Sequence, residues 1–234
     1  MSAGSAAVVL DLDGVIVDSE GVWEQVREDY TRRHGGRWAE GTQARMMGMS
    51  TDEWAAFMHS GLGVPVAPDA IARGVIEALL DRYRADLPLL PGATDALALL
   101  AEHWPLGLAS SSPRDVVDAV LDLAGIAGRF RAVVSSDEVA AGKPAPDVYL
   151  EAARRLGVEP TDAVAIEDSS NGIRAAHAAG LAVVAVPNSE FPPAEDALAL
   201  AAARLPGVAA VTPEVVRRAA QGGPPTTGPR GSRQ

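Results

Sequence analysis

Short, almost wholly apolar runs recur along the chain and alternate with segments of helical periodicity. The runs are rich in Val, Ile, Leu and Ala, a composition typical of strands that are buried on both faces of a parallel sheet. The predicted strands are 7–11, 106–110, 131–135, 163–167 and 182–186. The predicted helices between them are 93–103, 114–124, 147–156 and 171–179. This alternation predicts βαβ units, and therefore an α/β fold with a doubly wound parallel sheet.

One long segment, 15–88, interrupts that alternation. Its pattern is helical almost throughout, and it contains no convincing strand. The predicted helices in it are 19–34, 52–60 and 68–86. We predict that 15–88 forms a helical cap domain inserted after the first strand, whereas 1–14 and 89–220 form the sheet domain. The tail, 221–234, is rich in Gly and Pro without apolar periodicity, so we expect it to be disordered.

Composition narrows the possible partners and surroundings. The net charge of −11 is opposite to what a nucleic-acid surface requires, so we expect no nucleic acid as a partner. The sequence has no cysteine, which excludes disulfides, thiolate catalysis and cysteine-bound zinc. We find no signal-peptide pattern and no apolar run of the roughly 18 residues that a membrane span needs. We therefore expect a cytoplasmic protein that does not contact membranes, and a monomer rather than an oligomer.

Two carboxylates mark the end of the first predicted strand. Residues two apart on a strand point to the same side, so Asp11 and Asp13 share a face while Leu12 points away from them. Two such acids repel each other unless they bind a hard cation or divide the work of nucleophile and proton carrier. An acidic turn without chemistry is the alternative interpretation of these two residues taken alone.

A hydroxyl cluster and a lysine follow two later strands. Ser110 ends the second predicted strand, and we predict that Ser112 caps a helix beginning at Pro113. Hydroxyls and free backbone N–H groups at a helix start form an anion site, although an ordinary helix cap has the same sequence. Lys143 lies between a glycine and two prolines, on a loop stiff enough to orient its ammonium group. A solvated lysine is the alternative there.

Two adjacent acids, Glu167 and Asp168, end the fourth predicted strand. Mg²⁺ is bound by one or two carboxylates together with waters and phosphate oxygens. The alternative is that Asp168 caps the helix that follows. All these motifs fall at the carboxyl ends of strands, where open α/β sheets bind ligands. The acids would repel one another there unless Mg²⁺, Lys143 and Ser110 balanced their charge around a bound phosphate. Mg²⁺ is therefore the expected cofactor.

Together the four motifs resemble those of the haloacid dehalogenase superfamily of phosphotransferases in both order and spacing. The resemblance spans essentially the whole folded chain. The helical insertion is similar to the α-helical cap of the branch that includes β-phosphoglucomutase, phosphoglycolate phosphatase and sugar-phosphate phosphatases. This resemblance implies a Rossmann-like sheet core and a hydrolase that acts on a small phosphomonoester: a sugar, polyol or hydroxy-acid phosphate.

The resemblance also implies roles for the motif residues. Asp11 would be the nucleophile and would form an aspartyl-phosphate. Asp13 would protonate the leaving alkoxide and then deprotonate the attacking water. Ser110 and Lys143 would bind the phosphoryl oxygens.

A metal site is implied by the same resemblance. Asp11, Asp168 and the backbone carbonyl of Asp13 would bind Mg²⁺. Glu167 would either bind the ion directly or support the residues that do.

Departures from the family pattern help to select the reaction. An acid at Asp13 disfavours a dehalogenase, and the absence of lysine from 15–88 disfavours a phosphonatase. β-Phosphoglucomutase-like members have a histidine where this chain has Trp23, and mutases tend to have a lysine at Met47. These differences favour a phosphatase over a mutase, which stays the alternative. A catalytically silent binding member is a further alternative, but Asp11 is retained, and a receiver domain would lack the long insertion.

Substrate choice is expected to depend on the cap. Arg45 is the candidate cation for a second contact with the substrate, although a solvated helix arginine has the same pattern. Gly48 fits a loop that opens the next helix, and Trp23 is a candidate wall of the substrate pocket. Aromatic residues at helical spacing are also typical of a cap's own core.

Overall fold

A parallel sheet forms the centre of the fold in the computed structural model, which describes residues 6–47, 49–189, 191–222 and 226–227. Its strands are β1 (Ala7–Leu10), β2 (Leu106–Ser110), β3 (Phe130–Ser135), β4 (Ala163–Glu167), β5 (Ala182–Ala185), β6 (Ala203–Arg204) and β7 (Thr226–Thr227). Among the described residues their order is β3-β2-β1-β4-β5-β6-β7, and each neighbouring pair is parallel. The first strand is therefore central, which brings its carboxyl end between those of β2 and β4.

Helices surround this sheet and form the insertion. They are α1 (Glu20–Arg33), α2 (Thr42–Met46), α3 (Thr51–Ser60), α4 (Pro68–Ala85), α5 (Ala93–Ala101), α6 (Arg114–Leu123), α7 (Asp147–Leu156), α8 (Ser170–Ala178), α9 (Glu195–Leu198) and α10 (Pro213–Ala220). Short 3₁₀ turns cover Ala127–Arg129, Ser136–Glu138, Pro160–Asp162 and Val208–Ala210.

Both faces of the sheet are buried, which explains why its strands have no polar alternation. In β1, Val8 and Leu10 belong to one apolar cluster with residues of α5, α6 and α10. Ala7 and Val9 point to the opposite face and belong to a second cluster with residues of α7 and α8. Side chains alternate in direction along a strand, so a strand covered on both faces must be apolar at every position.

The segment between β1 and α5 forms the inserted helical cap. Its helices α1 and α3 pack against α4. The segments by which the chain enters and leaves the cap lie side by side. The Asp18 N–H donates to the Pro88 carbonyl at 2.8 Å, and the Leu90 N–H donates to the Ile16 carbonyl at 2.9 Å. The structure thus confirms the predicted fold class, whereas the division at residues 15 and 88 stays a proposal.

The cap lies over the carboxyl edge of the sheet, and hydrogen bonds to loops at that edge help to hold it there. The Thr51 hydroxyl donates to Asp137 Oδ1 at 3.0 Å, beyond the end of β3. The Asn171 amide donates to the Met47 carbonyl at 3.1 Å, at the start of α8. These two contacts hold the cap against the segments that follow β3 and β4.

The structure departs from the sequence predictions mainly in short elements. The pattern did not predict α2, α9, α10, β6 or β7. The tail 221–234 was predicted to be disordered, but Thr226–Thr227 pairs with β6, and 223–225 and 228–234 lie outside the described residues. Over the described parts of the chain, no helix is both long and apolar enough to cross a membrane.

Candidate active site

A cavity of about 50 Å³ lies between the cap and the carboxyl ends of β1, β2 and β4. Among the described residues it is lined by Asp11, Asp13, Glu20, Trp23, Arg27, Met46, Met47, Met49, Trp54, Ser111, Ser112, Pro113, Lys143, Asp168 and Ser169. Asp11, Asp13, Asp168 and Lys143 come from the sheet domain, whereas the aromatic and methionine side chains come from the cap, together with Glu20 and Arg27. This arrangement is typical of a site in which a polar reaction centre is covered by a largely apolar lid.

Asp11 lies at the point where β1 ends, and the residue is only 6 % exposed. Its Oδ1 accepts a hydrogen bond from the Leu12 N–H at 2.7 Å and lies 3.0 Å from Lys143 Nζ. Burial raises the pKa of Asp11 well above its usual range, against the opposing charge of Lys143. A carboxylate in this position needs further positive charge nearby to remain ionised.

Lys143 is the only lysine in the sequence, and it is 3 % exposed. Its ammonium group lies between Asp11 Oδ1, at 3.0 Å, and Glu167 Oε1, at 2.7 Å. Burial alone would lower the pKa of Lys143, but the charges of Asp11 and Glu167 outweigh it and raise that pKa above its usual value. The lysine is therefore a fixed cation directed at the predicted nucleophile.

Glu167, the last residue of β4, is fully buried and acts as an acceptor on both oxygens. Oε1 accepts from Lys143 Nζ and from the Tyr149 hydroxyl, each at 2.7 Å. Oε2 accepts from the N–H groups of Asp168 and Ser169 and from the Ser169 hydroxyl at 3.0–3.2 Å. Burial alone would raise the pKa of Glu167, but Lys143 and these hydrogen bonds hold it below its usual value. Five donors on one carboxylate indicate that Glu167 orders the loop around it.

Asp168 presents a carboxylate oxygen without a protein partner. The residue is 2 % exposed, and its Oδ2 has no hydrogen-bond partner among the described residues. Burial, with the charges of Glu167 and Asp11, raises its pKa well above the usual range. Gly14, at φ +72°, makes room for it, since a Cβ there would lie 1.9 Å from Asp168 Oδ2.

These acids fit a magnesium ion. One oxygen from each of Asp11, Glu167 and Asp168 lies within 4.8 Å of the others. Hard cations prefer carboxylate oxygens, and Mg²⁺ commonly uses one or two of them. The unpartnered Oδ2 of Asp168 is the atom that a cation would satisfy. Because Glu167 is already engaged by five donors, Asp11 and Asp168 are the better candidates for direct binding.

Asp13 lines the same cavity and is held by donors from both domains. Its Oδ1 accepts from the Ser19 hydroxyl at 2.5 Å and from Trp23 Nε1 at 3.3 Å. Its Oδ2 accepts from the hydroxyls of Ser112 and Ser110 at 2.6 and 3.4 Å. The two acids that a single strand end brings together thus have different partners, which is the condition for different chemical roles.

The serine cluster after β2 is arranged differently from the prediction. Ser110 is buried at the strand end as expected, but its hydroxyl accepts from the Ser112 N–H at 2.9 Å, and the cavity is lined by Ser111 and Ser112 instead. The prediction that Ser112 caps a helix beginning at Pro113 is wrong. Helix α6 begins at Arg114 with Pro113 as its N-cap, because the Ser112 hydroxyl is engaged by Asp13.

Among the described residues, Arg27 is the cap cation that lines the cavity, whereas the predicted Arg45 is not in the lining set. Arg45 is exposed and lies over the Phe57 ring at 4.5 Å, outside the set of described lining residues. Trp23 lines the cavity as predicted, whereas Gly48 lies outside the described residues. Sequence reasoning missed Glu20 and Arg27, although their spacing with Trp23 places all three on one face of α1.

Magnesium is expected to raise the melting temperature of the protein, because it would relieve repulsion among Asp11, Glu167 and Asp168. At a concentration a hundredfold above its dissociation constant, the ion would raise the melting temperature by roughly 5 °C or more. Thermal unfolding in Mg²⁺ and in EDTA measures this. Asp168→Asn should reduce the shift, whereas Asp196→Asn, at an exposed acid paired with Arg174, should retain it. An equal melting temperature in both buffers would contradict the metal site.

Glu20 makes stability depend on pH. Burial, and then the charge of Asp13, raises the pKa of Glu20 from 4.5 to about 7. The folded protein therefore holds this proton more tightly than the unfolded chain, so its stability falls as the pH rises from 4.5 to about 7. In EDTA, we expect Glu20→Gln to raise the melting temperature more at a pH above 7 than at pH 4.5. An equal effect at both ends would contradict the assignment.

A family model of haloacid dehalogenase-like hydrolases matches residues 6–180 of the chain. Hexitol phosphatase B of Escherichia coli K12 is 35 % identical over 190 residues, which are 79 % of this chain and 84 % of that protein. The fructose-1-phosphate phosphatase of the same organism is 30 % identical over 181 residues, 77 % of this chain and 96 % of that protein. A bifunctional riboflavin kinase/FMN phosphatase of Arabidopsis thaliana is 33 % identical, but the match covers only 49 % of its length.

Solved structures show the same architecture. CbbY from Rhodobacter sphaeroides, in complex with phosphate, superposes with a TM-score of 0.76 at 26 % identity, over 87 % of this chain and 95 % of CbbY. A β-phosphoglucomutase from Clostridium difficile gives 0.79 at 22 % identity, over 92 % and 96 % of the two chains, and shows the fold alone. With the family model matching most of its length, the chain belongs to the haloacid dehalogenase-like hydrolases.

Proposed function

We propose that the protein is a Mg²⁺-dependent phosphatase that hydrolyses small phosphomonoesters through an aspartyl-phosphate on Asp11. The observation that carries the proposal is the different environment of two carboxylates only two residues apart. Asp11 Oδ1 lies 3.0 Å from the single lysine, whereas Asp13 accepts only from hydroxyls and an indole among its described side-chain partners. One acid is therefore suited to attack phosphorus, and the other to carry a proton.

In the first step, an oxygen of the Asp11 carboxylate forms a bond to phosphorus, and the bond from phosphorus to the ester oxygen breaks. The proton on Asp13 passes to the leaving oxygen, so that a neutral alcohol departs. In the second step, a water attacks the phosphorus of the aspartyl-phosphate while Asp13 takes up its proton. The bond from Asp11 to phosphorus breaks, inorganic phosphate leaves, and both acids return to their starting states.

The charge around the phosphoryl group would be balanced by residues from two loops. Lys143 is held in place by Glu167 and is directed at Asp11, so it would attract a phosphoryl oxygen next to the nucleophile. The loop of Ser111 and Ser112, which lines the cavity, would supply further donors on the other side. Phosphoryl transfer depends mostly on such positioning and electrostatic stabilisation.

Magnesium would be held by Asp11, Asp168 and the backbone carbonyl of Asp13, with Glu167 ordering the loop. When bound, the ion supplies positive charge that favours the ionised forms of Asp11 and Asp168 and attracts a phosphoryl oxygen. Burial raises the pKa of both acids in the metal-free protein. This is the physical reason to expect activity to depend on a cation.

The cap favours hydrolysis over mutase chemistry. Trp23 donates to Asp13 at 3.3 Å from the position where mutases of this family have a histidine. An indole N–H cannot accept a proton, so it cannot assist transfer of the phosphoryl group to a second hydroxyl. The relatives named as phosphatases of hexitol and fructose phosphates support a sugar or polyol phosphate as the substrate.

Phosphate release from a panel of sugar, polyol and acid phosphomonoesters tests this proposal, with Mg²⁺ or EDTA in the assay and Asp11→Asn as the blank. We expect release that requires Mg²⁺ and is absent from the variant. The panel includes β-glucose 1-phosphate, with glucose 6-phosphate also followed. Interconversion of the two glucose phosphates without phosphate release would overturn the proposal in favour of a mutase, and no reaction at all would favour a silent binding protein.

A further inference from the structure

The cap presents a connected set of polar groups to the cavity from one face of α1. The Gln43 amide nitrogen donates to Glu20 Oε2 at 2.9 Å, and its carbonyl oxygen accepts from Arg27 Nη1 at 3.2 Å. Glu20 and Arg27 both line the cavity, and the buried side chain of Gln43 bridges them. Neither the acid nor the guanidinium takes part in the chemistry proposed above.

Arg27 is buried in an unusual way for a cation. The residue is 5 % exposed, and its guanidinium carbon lies 4.3 Å from the centre of the Trp23 ring and 4.9 Å from that of Trp54. Its Nε has no hydrogen-bond partner among the described residues. A buried donor without a partner is costly, and because Arg27 lines the cavity, a ligand there can supply an acceptor to its guanidinium.

The charge of this part of the cavity limits which ligand fits. Of the described residues that line it, Arg27 and Lys143 are the cations. Lys143 already faces Asp11 and Glu167. Arg27 has Glu20 as its neighbour through Gln43, so this cation does not create a net positive site for a second anion.

We propose that Glu20 and Arg27, joined by Gln43, bind the hydroxyl groups of an uncharged polyol or sugar leaving group and disfavour substrates with a second anionic group. The inference rests on the phosphatase function proposed above and narrows its substrate class. A hydroxyl both donates and accepts, so it can donate to the Glu20 carboxylate and accept from the Arg27 guanidinium. A carboxylate or a second phosphate only accepts, and Glu20 would repel it.

Specificity ratios test this assignment. The value of kcat/KM is measured at pH 8, with Mg²⁺, for sorbitol 6-phosphate, 2-phosphoglycolate and p-nitrophenyl phosphate. We expect the wild type to prefer sorbitol 6-phosphate over phosphoglycolate. Glu20→Gln should shift that ratio towards phosphoglycolate by about tenfold, because one like charge is removed while the amide contact with Gln43 is kept. Glu24→Gln removes the same charge from α1 outside the set of lining residues and should leave the ratio unchanged.

Arg27 provides the second variant. Arg27→Lys should raise KM for sorbitol 6-phosphate by about tenfold relative to p-nitrophenyl phosphate, because lysine keeps the charge but lacks the planar set of guanidinium donors. A wild type that prefers phosphoglycolate, or a ratio that Glu20→Gln leaves unchanged, would overturn the inference while the phosphatase proposal stands. A wild type inactive on all three esters would overturn both.

Discussion

Replacement of Asp11 by asparagine is expected to abolish turnover, by roughly 10⁴-fold or more, while the protein stays folded. An amide oxygen is too weak a nucleophile to displace an alkoxide from phosphorus. The fold should survive because the change is nearly isosteric. The asparagine oxygen can still accept from the Leu12 N–H, and Lys143 keeps its 2.7 Å contact with Glu167.

The measurement is Mg²⁺-dependent phosphate release, together with circular dichroism and the melting temperature. Asp118→Asn is the matched control, since it makes the same substitution at an exposed acid that pairs with Arg114 on α6. It should retain full activity. Substantial phosphate release by a folded Asp11→Asn protein would exclude Asp11 as the nucleophile.

Replacement of Asp13 by asparagine is expected to lower turnover by roughly 10²-fold or more. The amide can neither protonate the leaving alkoxide nor deprotonate the attacking water. The side chain at position 13 should keep its position in the variant, because its partners Ser19 and Ser112 have hydroxyls that can either donate or accept. With p-nitrophenyl phosphate, the rate of the first step should fall less, because the nitrophenolate leaving group needs no proton.

This difference gives a diagnostic experiment. With p-nitrophenyl phosphate, Asp13→Asn should release a burst of nitrophenolate stoichiometric with enzyme and then turn over slowly, because the second step still lacks its base. Asp18→Asn changes an exposed acid in the same segment and serves as the control. A loss below tenfold with every ester would remove Asp13 from the role of acid and base.

The sheet was predictable from the sequence because its strands are buried on both faces. Runs such as 106–110 and 163–167 have no polar alternation, and their observed bounds match the predicted ones. The elements that escaped prediction are short. Helix α10 has eight residues and is ordered by packing of Val216 and Ala219, a tertiary effect that local periodicity does not reveal.

The reaction centre was predictable to the extent that strand ends determine it. Asp11, Lys143 and Asp168 line one cavity because parallel strands bring their carboxyl ends to one edge. The cap side was not predictable in the same way. Whether Arg27 or Arg45 reaches the cavity depends on how α1 and α2 lie over the sheet, and that orientation follows from packing between distant segments.

The directions of the serine hydroxyls were a second feature that could not be predicted from the sequence. The sequence identified the serine cluster but not that the Ser112 hydroxyl donates to Asp13, 99 residues away. That hydrogen bond depends on the parallel register of β1 and β2, which aligns Leu10 with Leu108. Local capping rules favoured the nearer partner, and the tertiary contact with a carboxylate prevailed.

Trapping the covalent intermediate tests the central claim most directly. Asp13→Asn is mixed with p-nitrophenyl phosphate and Mg²⁺, quenched in acid within one turnover, digested and analysed by mass spectrometry. We predict one phosphoryl group on the peptide that contains Asp11, with none when Asp11→Asn is combined with Asp13→Asn. An unmodified Asp11 peptide during the burst, or a phosphoryl group on Ser110 or Ser112 instead, would contradict the account.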